Sequence, residues 1–140
     1  MKLQEIQKRL KAPKNQWNKF GNYSYRSCED VLEAVKPLLN GSVLTITDDV
    51  VCVGDRIYVK ATCTFESTEG QKYSVTAFAR EAENKKGMDD AQITGSCSSY
   101  ARKYALNGLF LIDDAKDADN FDNTDNTDNT TSKPEQEELW

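Results

Sequence analysis

The sequence of 140 residues predicts an α+β protein: a three-stranded antiparallel β-meander with flanking helices, a β-β-β-α module, followed by a disordered acidic C-terminal tail. Three observations predict this class. Apolar and polar residues alternate over residues 56–66, which indicates a strand with one buried face. Apolar residues recur at three- and four-residue spacing over residues 92–107, which indicates an amphipathic helix. The charge changes sharply between residues 1–112 and residues 113–140.

This uneven charge defines the predicted domain organisation. Residues 1–112 carry 16 Lys and Arg against 13 Asp and Glu, a net charge of +3. Residues 113–140 carry 2 against 10, a net charge of −8. We therefore expect one mildly basic domain over 1–112 and an acidic tail over 113–140. The tail contains the period-three repeat DNTDNTDNT and has no apolar face, which predicts disorder.

Composition also excludes several classes of protein. No apolar run approaches the roughly 20 residues of a membrane span, and the N-terminus lacks the apolar stretch of a signal peptide. The four cysteines form no CxxC pair and the chain has no histidine, so we expect reduced thiols in a cytoplasmic protein and no zinc site.

The first predicted helix covers residues 2–12, where Leu3, Ile6 and Leu10 form one thin apolar stripe and Pro13 ends it. So short a helix must pack on its own domain or on a neighbouring copy.

The next stretch, 14–26, lacks acids and places four aromatic residues among cations around a Gly21-Asn22 turn. Rings that stack on bases and cations that contact phosphates are what single-stranded nucleic acid requires. The candidate binding residues here are Lys14, Trp17, Lys19, Phe20, Tyr23 and Arg26.

The alternative for this aromatic-basic stretch is that its rings anchor a loop to the core, which we expect for at least one of them, Tyr25 or Phe20. A second helix follows, capped by Ser27 and ended by Asn40-Gly41. Three strands then come at 43–53, 56–66 and about 71–80.

Gly54-Asp55 forms the first hairpin turn of the predicted meander. Asp48-Asp49 interrupts the apolar pattern of the first strand and predicts a bulge or bend. The register of the third strand stays open, because Phe78 competes with Tyr73, Val75, Ala77 and Ala79 for the buried face. Cations that can lie on the exposed surfaces are Lys60, Arg80 and, in the polar loop 81–90, Lys85 and Lys86.

The helix over 92–107 divides into two faces. One is apolar, with Ile93, Cys97, Tyr100, Ala101, Tyr104 and Ala105. The other is small, hydroxyl-rich and cationic, and it offers Ser98, Ser99, Arg102 and Lys103 as candidate contacts to a sugar-phosphate backbone. Asp89 or Asp90 caps the start, and Gly108 is expected to end the helix. The short segment 109–112 then packs down or forms an edge strand.

No set of residues indicates catalysis or a cofactor. The chain lacks a phosphate-binding GxxxxGK[ST] loop, and its paired aspartates are more typical of helix caps than of a magnesium site. The final PEQEELW is different, since acids followed by Leu139 and Trp140 suggest a peptide that docks a partner. The acidic tail is also expected to compete with nucleic acid for the basic surface.

Two blocks of sequence carry a family resemblance: FGNYSYRSCEDVLEAVKPLL at 20–39 and QITGSCSSYARKYALNGLFLIDD at 92–114. In these the chain resembles the Erf (essential recombination function) family of phage single-strand annealing proteins over roughly residues 1–115. The resemblance implies the fold of the eukaryotic annealing mediator of homologous recombination. By position it makes Arg102 and Lys103 the cations of the DNA groove. The acidic tail departs from the family, whose members mostly carry a longer C-terminal region.

The resemblance further implies a phage-encoded protein of the bacterial cytoplasm that binds single-stranded DNA and anneals complementary strands without ATP. It implies assembly into a homo-oligomeric ring or filament, which holds an annealed duplex intermediate. A host or phage replication or recombination partner for the tail is suggested by the tail residues themselves and not by the resemblance. The alternative is a protein that protects single-stranded DNA and recruits replication or repair partners through its tail. A further alternative is a DNA-processing enzyme that uses the paired aspartates, for which divalent-dependent cleavage would be the signature. A purely structural oligomer leaves the acid-free aromatic-basic stretch unexplained.

Overall fold

A computed structural model describes residues 1–112. It confirms the α+β class and the antiparallel meander. The helices and strands, in chain order, are α1 (Leu3–Arg9), β1 (Gln16–Asn18), β2 (Tyr23–Tyr25), α2 (Cys28–Leu39), β3 (Val43–Val53), β4 (Arg56–Glu66), β5 (Lys72–Arg80) and α3 (Asp90–Phe110). The disorder predicted for 113–140, and the partner peptide at Leu139 and Trp140, lie outside the described residues.

The principal sheet has the order β3-β4-β5, as a meander requires. Residues 43 to 53 pair with residues 66 to 56 without interruption, so the bulge expected at Asp48-Asp49 is wrong. Asp48 simply pairs with Ala61 and lies on the inner face of the sheet. A polar side chain is tolerated there because, as described below, α3 supplies a partner for it.

The core lies between this inner face and α3. Alternate β4 residues, Val59 to Phe65, are buried as predicted, and β5 turns Val75, Ala77 and Ala79 inwards while Phe78 stays exposed. From α3 the sheet receives a narrow stripe at four-residue spacing: Ile93, Cys97, Ala101 and Ala105. Small residues in this stripe bring the helix close to the sheet.

Tyr100 and Tyr104 were expected in the buried stripe of α3, and the structure shows this to be wrong. Their side chains are 51% and 45% exposed. Each lies one position before a buried alanine, and one residue turns the helix by about 100°. The sheet covers only a narrow stripe of the helix, so both rings lie on the flank of that stripe.

The predicted end of α3 at Gly108 is also wrong, because the helix continues to Phe110 and Leu111 adopts the left-handed cap. Leu109 and Phe110 are almost completely buried, and Gln7 of α1 donates to the carbonyl of Leu109 at 2.8 Å. Burial of a large apolar side chain contributes about 1.5–3 kcal/mol. These contacts therefore outweigh the local preference of a glycine to end the helix.

Both ends of α2 and the start of α3 lie where the sequence predicted them. Ser27 and Asp30 exchange side-chain-to-backbone hydrogen bonds, and Asp89 does the same with Gln92, so both predicted N-caps are confirmed. Asn40 ends α2 in the left-handed conformation, with φ of 43°. The first helix is shorter than predicted, since Leu10 is already extended, but it packs on its own domain and buries Ile6 completely.

Residues 1–12 and 27–112 form one compact unit, whereas residues 13–26 are part of a second one. Within 13–26 the expected loop is a two-stranded antiparallel hairpin of β1 and β2. Asn18 accepts hydrogen bonds from the backbone N–H groups of Phe20 and Gly21, and Asn22 takes a positive φ of 57°. Side-chain bonds of this kind fold the turn locally. The predicted division into 1–112 and 113–140 stays a prediction.

Candidate nucleic-acid interface

The hairpin presents aromatic rings to solvent. Phe20 is fully exposed and Trp17 is 55% exposed, and Lys19 lies between them at the exposed turn. Tyr23 and Tyr25 are half-buried, with ring centroids 6.2 Å apart, and the Tyr23 hydroxyl accepts a hydrogen bond from Asn18. The two tyrosines thus stiffen the hairpin, while Trp17 and Phe20 can stack on bases.

The two cations predicted at the ends of this stretch are less accessible. Lys14 is half-buried, and Arg26 is only 8% exposed. A phosphate can reach either side chain only if the local structure opens. Their predicted role in binding DNA stays a prediction, with less support than that of Lys19.

The flank of α3 that faces β3 carries an ion pair. Arg102 donates from Nε to Asp48 Oδ1 and from Nη2 to Asp48 Oδ2, each at 3.1 Å. Ser98, one turn earlier, donates its hydroxyl to the same carboxylate. Two residues that the sequence predicted as DNA contacts therefore already have a shared protein partner.

The electrostatics of Asp48 reflect these contacts. Partial burial raises the pKa of the Asp48 carboxyl, but the hydrogen bonds from Arg102 and Ser98 outweigh burial and hold the pKa below its ordinary value. The same hydrogen bond raises the pKa of the Arg102 guanidinium. Both groups are charged at neutral pH, so the pair largely neutralises this flank of α3.

The opposite flank of α3 faces β5 and differs in character. Tyr100 and Tyr104 lie one helical turn apart with ring centroids 6.2 Å apart, and Lys103 Nζ is 5.9 Å from the centroid of Tyr100. A cation at this distance is attracted to the face of the ring. This flank, which we call the tyrosine flank (Tyr100, Lys103 and Tyr104), therefore combines exposed rings with a positive charge. Ser99, on the side of α3 away from the sheet, is half-buried.

The outer face of the sheet holds a similar combination. Lys60 pairs in register with Phe78, and its Nζ is 6.0 Å from the centroid of that ring. Arg80 is exposed at the end of β5, and Lys85 and Lys86 are exposed in the loop that leads to α3. Arg80, Lys85 and Lys86 thus lie on the edge strand β5 and its following loop, whereas Lys60 lies on the central strand β4.

The chain that carries the tyrosine flank and the outer face of the sheet has recognisable relatives. The model of the ERF superfamily matches residues 1–139. The chain belongs to the ERF superfamily. It is 66% identical over 116 residues to the Essential recombination function protein of Salmonella phage P22, an alignment that covers 83% of this chain and 56% of that protein. No solved structure matches the chain. The predicted resemblance to the Erf family is confirmed.

Sequence reasoning missed three features of the interface in this ERF-family chain. Asp48 was interpreted as a break in a strand, and Tyr100 and Tyr104 as core. A signal for Asp48 existed, because it alternates with inward-facing Ile46 and Val50 and so lies on the helix side of an uninterrupted strand. No local signal distinguishes a flanking tyrosine from a buried one.

The cysteines of the ERF-family chain offer no reactive centre in the core. Burial raises the pKa of Cys63 to about 12 and also raises the pKa of Cys28 and of Cys97. These thiols stay protonated at neutral pH and are poor nucleophiles. Within residues 1–112 no three acidic, histidine or cysteine side chains are grouped to hold a metal ion. No helix in that part of the chain is long and apolar enough to cross a membrane.

Proposed function

We propose that this ERF-family chain binds single-stranded DNA and anneals complementary strands without nucleotide hydrolysis, in phage homologous recombination. Membership of the family supports a role in recombination. The chain spans 56% of the length of its phage P22 relative, so the activity of the whole relative is part of the proposal. The observation that carries it is the tyrosine flank, where exposed rings lie beside a cation on the helix that most resembles the family.

Binding in this proposal divides between phosphates and bases. The phosphates are neutralised by the exposed cations Arg80, Lys85 and Lys86 and by the half-buried Lys60 and Lys103. Trp17 and Phe20 of the hairpin stack on bases, as every base offers a π-face regardless of sequence. Arg102, Ser98 and Ser99 contribute only where a phosphate displaces the carboxylate of Asp48 or approaches the helix backbone.

Annealing then requires no catalytic group. Pairing and stacking release about 1.4 kcal/mol per base step, which is sufficient to drive duplex formation once two strands are aligned. The protein has only to hold the first strand extended with its bases accessible. The annealed duplex is a stiffer ligand with buried bases, so contacts to base faces are lost and the product is released.

Assembly of several copies supplies the affinity that one copy lacks. Residues 1–112 have a net charge of only +3, so a single copy makes few phosphate contacts. In a ring or filament the contacts of neighbouring copies act together. Within residues 1–112, β3 and β5 are the two edges of the principal sheet. An edge strand can pair with another chain, and repeated pairing of two different edges produces a ring or a helical filament.

The acidic segment 113–140 is proposed to recruit a replication or recombination partner through Leu139 and Trp140. These residues lie outside the described part of the chain, so this part of the proposal rests on composition. The protein acts in this proposal in the cytoplasm of the bacterial host, where the phage DNA is replicated.

The test is annealing of two complementary oligonucleotides labelled with a fluorophore and a quencher, with EDTA and without nucleotide. We expect the full chain to accelerate quenching, and Lys103→Ala to reduce the acceleration. Lys36→Ala is the matched control, because Lys36 is an exposed α2 lysine paired with Glu33. Tight binding with slower annealing would instead indicate the protective protein that recruits replication or repair partners. No binding would contradict both functions.

A further inference from the structure

A groove lies between the end of β5 and the flank of α3. Its volume is about 420 Å³, within the range of roughly 300–1,000 Å³ that is typical of ligand sites. Its floor is apolar and closed, since Ile93 and Cys97 are each only 6% exposed. The Cys97 thiol donates to the carbonyl of Ala79 at 3.1 Å, which ties the helix to the strand beneath the groove. The floor is therefore preformed.

The walls of the groove are aromatic and incompletely covered. Tyr100 and Tyr104 line it from α3, and Met88 lines it from the preceding loop. All three side chains remain at least one-third exposed within the described chain. The two rings are inclined by 35°, so their faces are not stacked on one another. Large apolar side chains exposed together in a concave site mark a place where a ligand binds.

The rim of the groove is positive. Arg80 and Lys85 line it, and none of the lining residues is acidic. The acids of the same loop, Glu81 and Glu83, lie outside the lining, and Asp89 is occupied as the cap of α3. The groove thus combines an apolar aromatic interior with cations at its edge. An unstacked nucleotide has the complementary arrangement, a flat ring attached to a negative phosphate.

We propose that this groove binds an unstacked base of single-stranded DNA, with Tyr100 and Tyr104 as the platform for the base. Arg80 and Lys85 bind the adjoining phosphates. Ser96, which also lines the groove, can donate or accept a hydrogen bond at the edge of the base. This inference rests on the proposed function and adds to it a concave site for a base, separate from the exposed rings Trp17 and Phe20 of the hairpin.

The experiment compares two single-stranded oligonucleotides of equal length and charge, an oligothymidylate and an abasic deoxyribose-phosphate chain, by fluorescence anisotropy with the full-length protein. Tyr100→Leu/Tyr104→Leu removes the rings but retains apolar bulk, and Tyr100→Phe/Tyr104→Phe retains the rings. We expect the leucine variant to bind oligothymidylate about 5- to 150-fold more weakly, the range that the loss of one stacked base gives. The phenylalanine variant should bind like the wild type.

On the abasic chain the leucine variant should bind like the wild type, because no base is present to stack. An equal loss on both oligonucleotides would overturn the proposal and make the tyrosines a backbone contact. A changed oligomer size in sedimentation, with unchanged affinity, would show that a second copy covers the groove and would also overturn it. Midpoints of urea unfolding establish that each variant is folded.

The two proposals fail in different ways. Wild-type protein that binds oligothymidylate and anneals strands, together with a leucine variant that does both equally well, would overturn the base site alone. Wild-type protein that binds neither oligonucleotide would overturn the proposed function and the base site together.

Discussion

The carboxylate of Asp48 in β3 accepts a bidentate pair of hydrogen bonds from the guanidinium of Arg102 in α3, although the two residues are 54 positions apart in the sequence. Two parallel N–H···O hydrogen bonds of this kind make arginine–carboxylate pairs strong and geometrically specific. This pair fixes the helix against an edge strand of the sheet. It also reduces the charge that Arg102, one of the two adjacent cations that the sequence predicted as DNA contacts, offers to DNA.

Asp48→Asn is expected to lower the free energy of unfolding at pH 7 by about 0.2–1 kcal/mol, the range of solvent-accessible ion pairs. The pKa of Asp48 is lower in the folded protein than in the unfolded chain. The stabilisation is therefore complete above the unfolded-state pKa of about 3.9 and is lost as the pH falls through the lower folded-state value. Urea unfolding of both proteins at pH 7, 5 and 3 measures this.

The difference between wild type and Asp48→Asn should be equal at pH 7 and 5 and smaller at pH 3. Asp49→Asn is the matched control, since its side chain lies on the other face of the same strand. A difference that persists unchanged to pH 3 would show that the carboxylate charge contributes nothing.

Asp48→Asn should also strengthen single-strand binding, because the released guanidinium becomes a full phosphate contact. We expect the dependence of log affinity on log salt concentration to steepen by about one contact, uniformly across sequences. Lys103→Ala should make it shallower by about one. Titrations at several salt concentrations measure both slopes.

The role of Arg102 is isolated by combining variants. Asp48→Asn/Arg102→Ala should lose the gain of Asp48→Asn, because no guanidinium remains to contact a phosphate. If the double variant still bound more tightly than wild type, the gain would come from removing a negative charge and not from freeing Arg102.

Phe20→Ala is expected to leave the free energy of unfolding unchanged, since the ring is fully exposed, and to weaken single-strand binding by about 1–3 kcal/mol if one base stacks on it. Trp17 gives a direct signal, because stacking on a base should quench its fluorescence. The measurement uses Trp140→Phe so that Trp17 is the one remaining tryptophan. Val43→Ala is the control for Phe20→Ala, because Val43 is also an exposed apolar side chain but lies on the sheet and not on the hairpin. Quenching absent at saturating DNA would remove the hairpin from the interface.

Two glycines of α3 are expected to respond oppositely to substitution. A Cβ on Gly95 meets nothing within 4 Å, so Gly95→Ala should stabilise the protein by about 0.5–1 kcal/mol through helix propensity. A Cβ on Gly108 would lie 3.1 Å from Val75 Cγ1, and a larger side chain would collide with β5. Gly108→Leu should therefore destabilise by about 1–3 kcal/mol. Thermal or urea unfolding measures both, and equal effects would contradict the close approach of α3 to β5.

Local interactions between residues close in the sequence account for most of the secondary structure of this protein. The bounds of β3 and β4, the turn at Gly54-Asp55 and the caps at Ser27 and Asp89 follow from side chains that act within a few residues of one another. The family was also readable from two blocks of sequence. Four of the nine predicted DNA-contacting cations, Lys19, Arg80, Lys85 and Lys86, are exposed, because charged side chains are rarely buried.

Which side chains of α3 are buried and which are exposed depends on tertiary contacts that the local sequence does not show. The pairing of Asp48 with Arg102, the exposure of Tyr100 and Tyr104, and the continuation of the helix past Gly108 depend on contacts with β3, β5 and α1. Hydrophobic periodicity shows that a helix has an apolar side but not how wide a stripe its neighbour covers. That width is set by the shape of the sheet, and it makes the tyrosines a candidate surface for DNA and not part of the core.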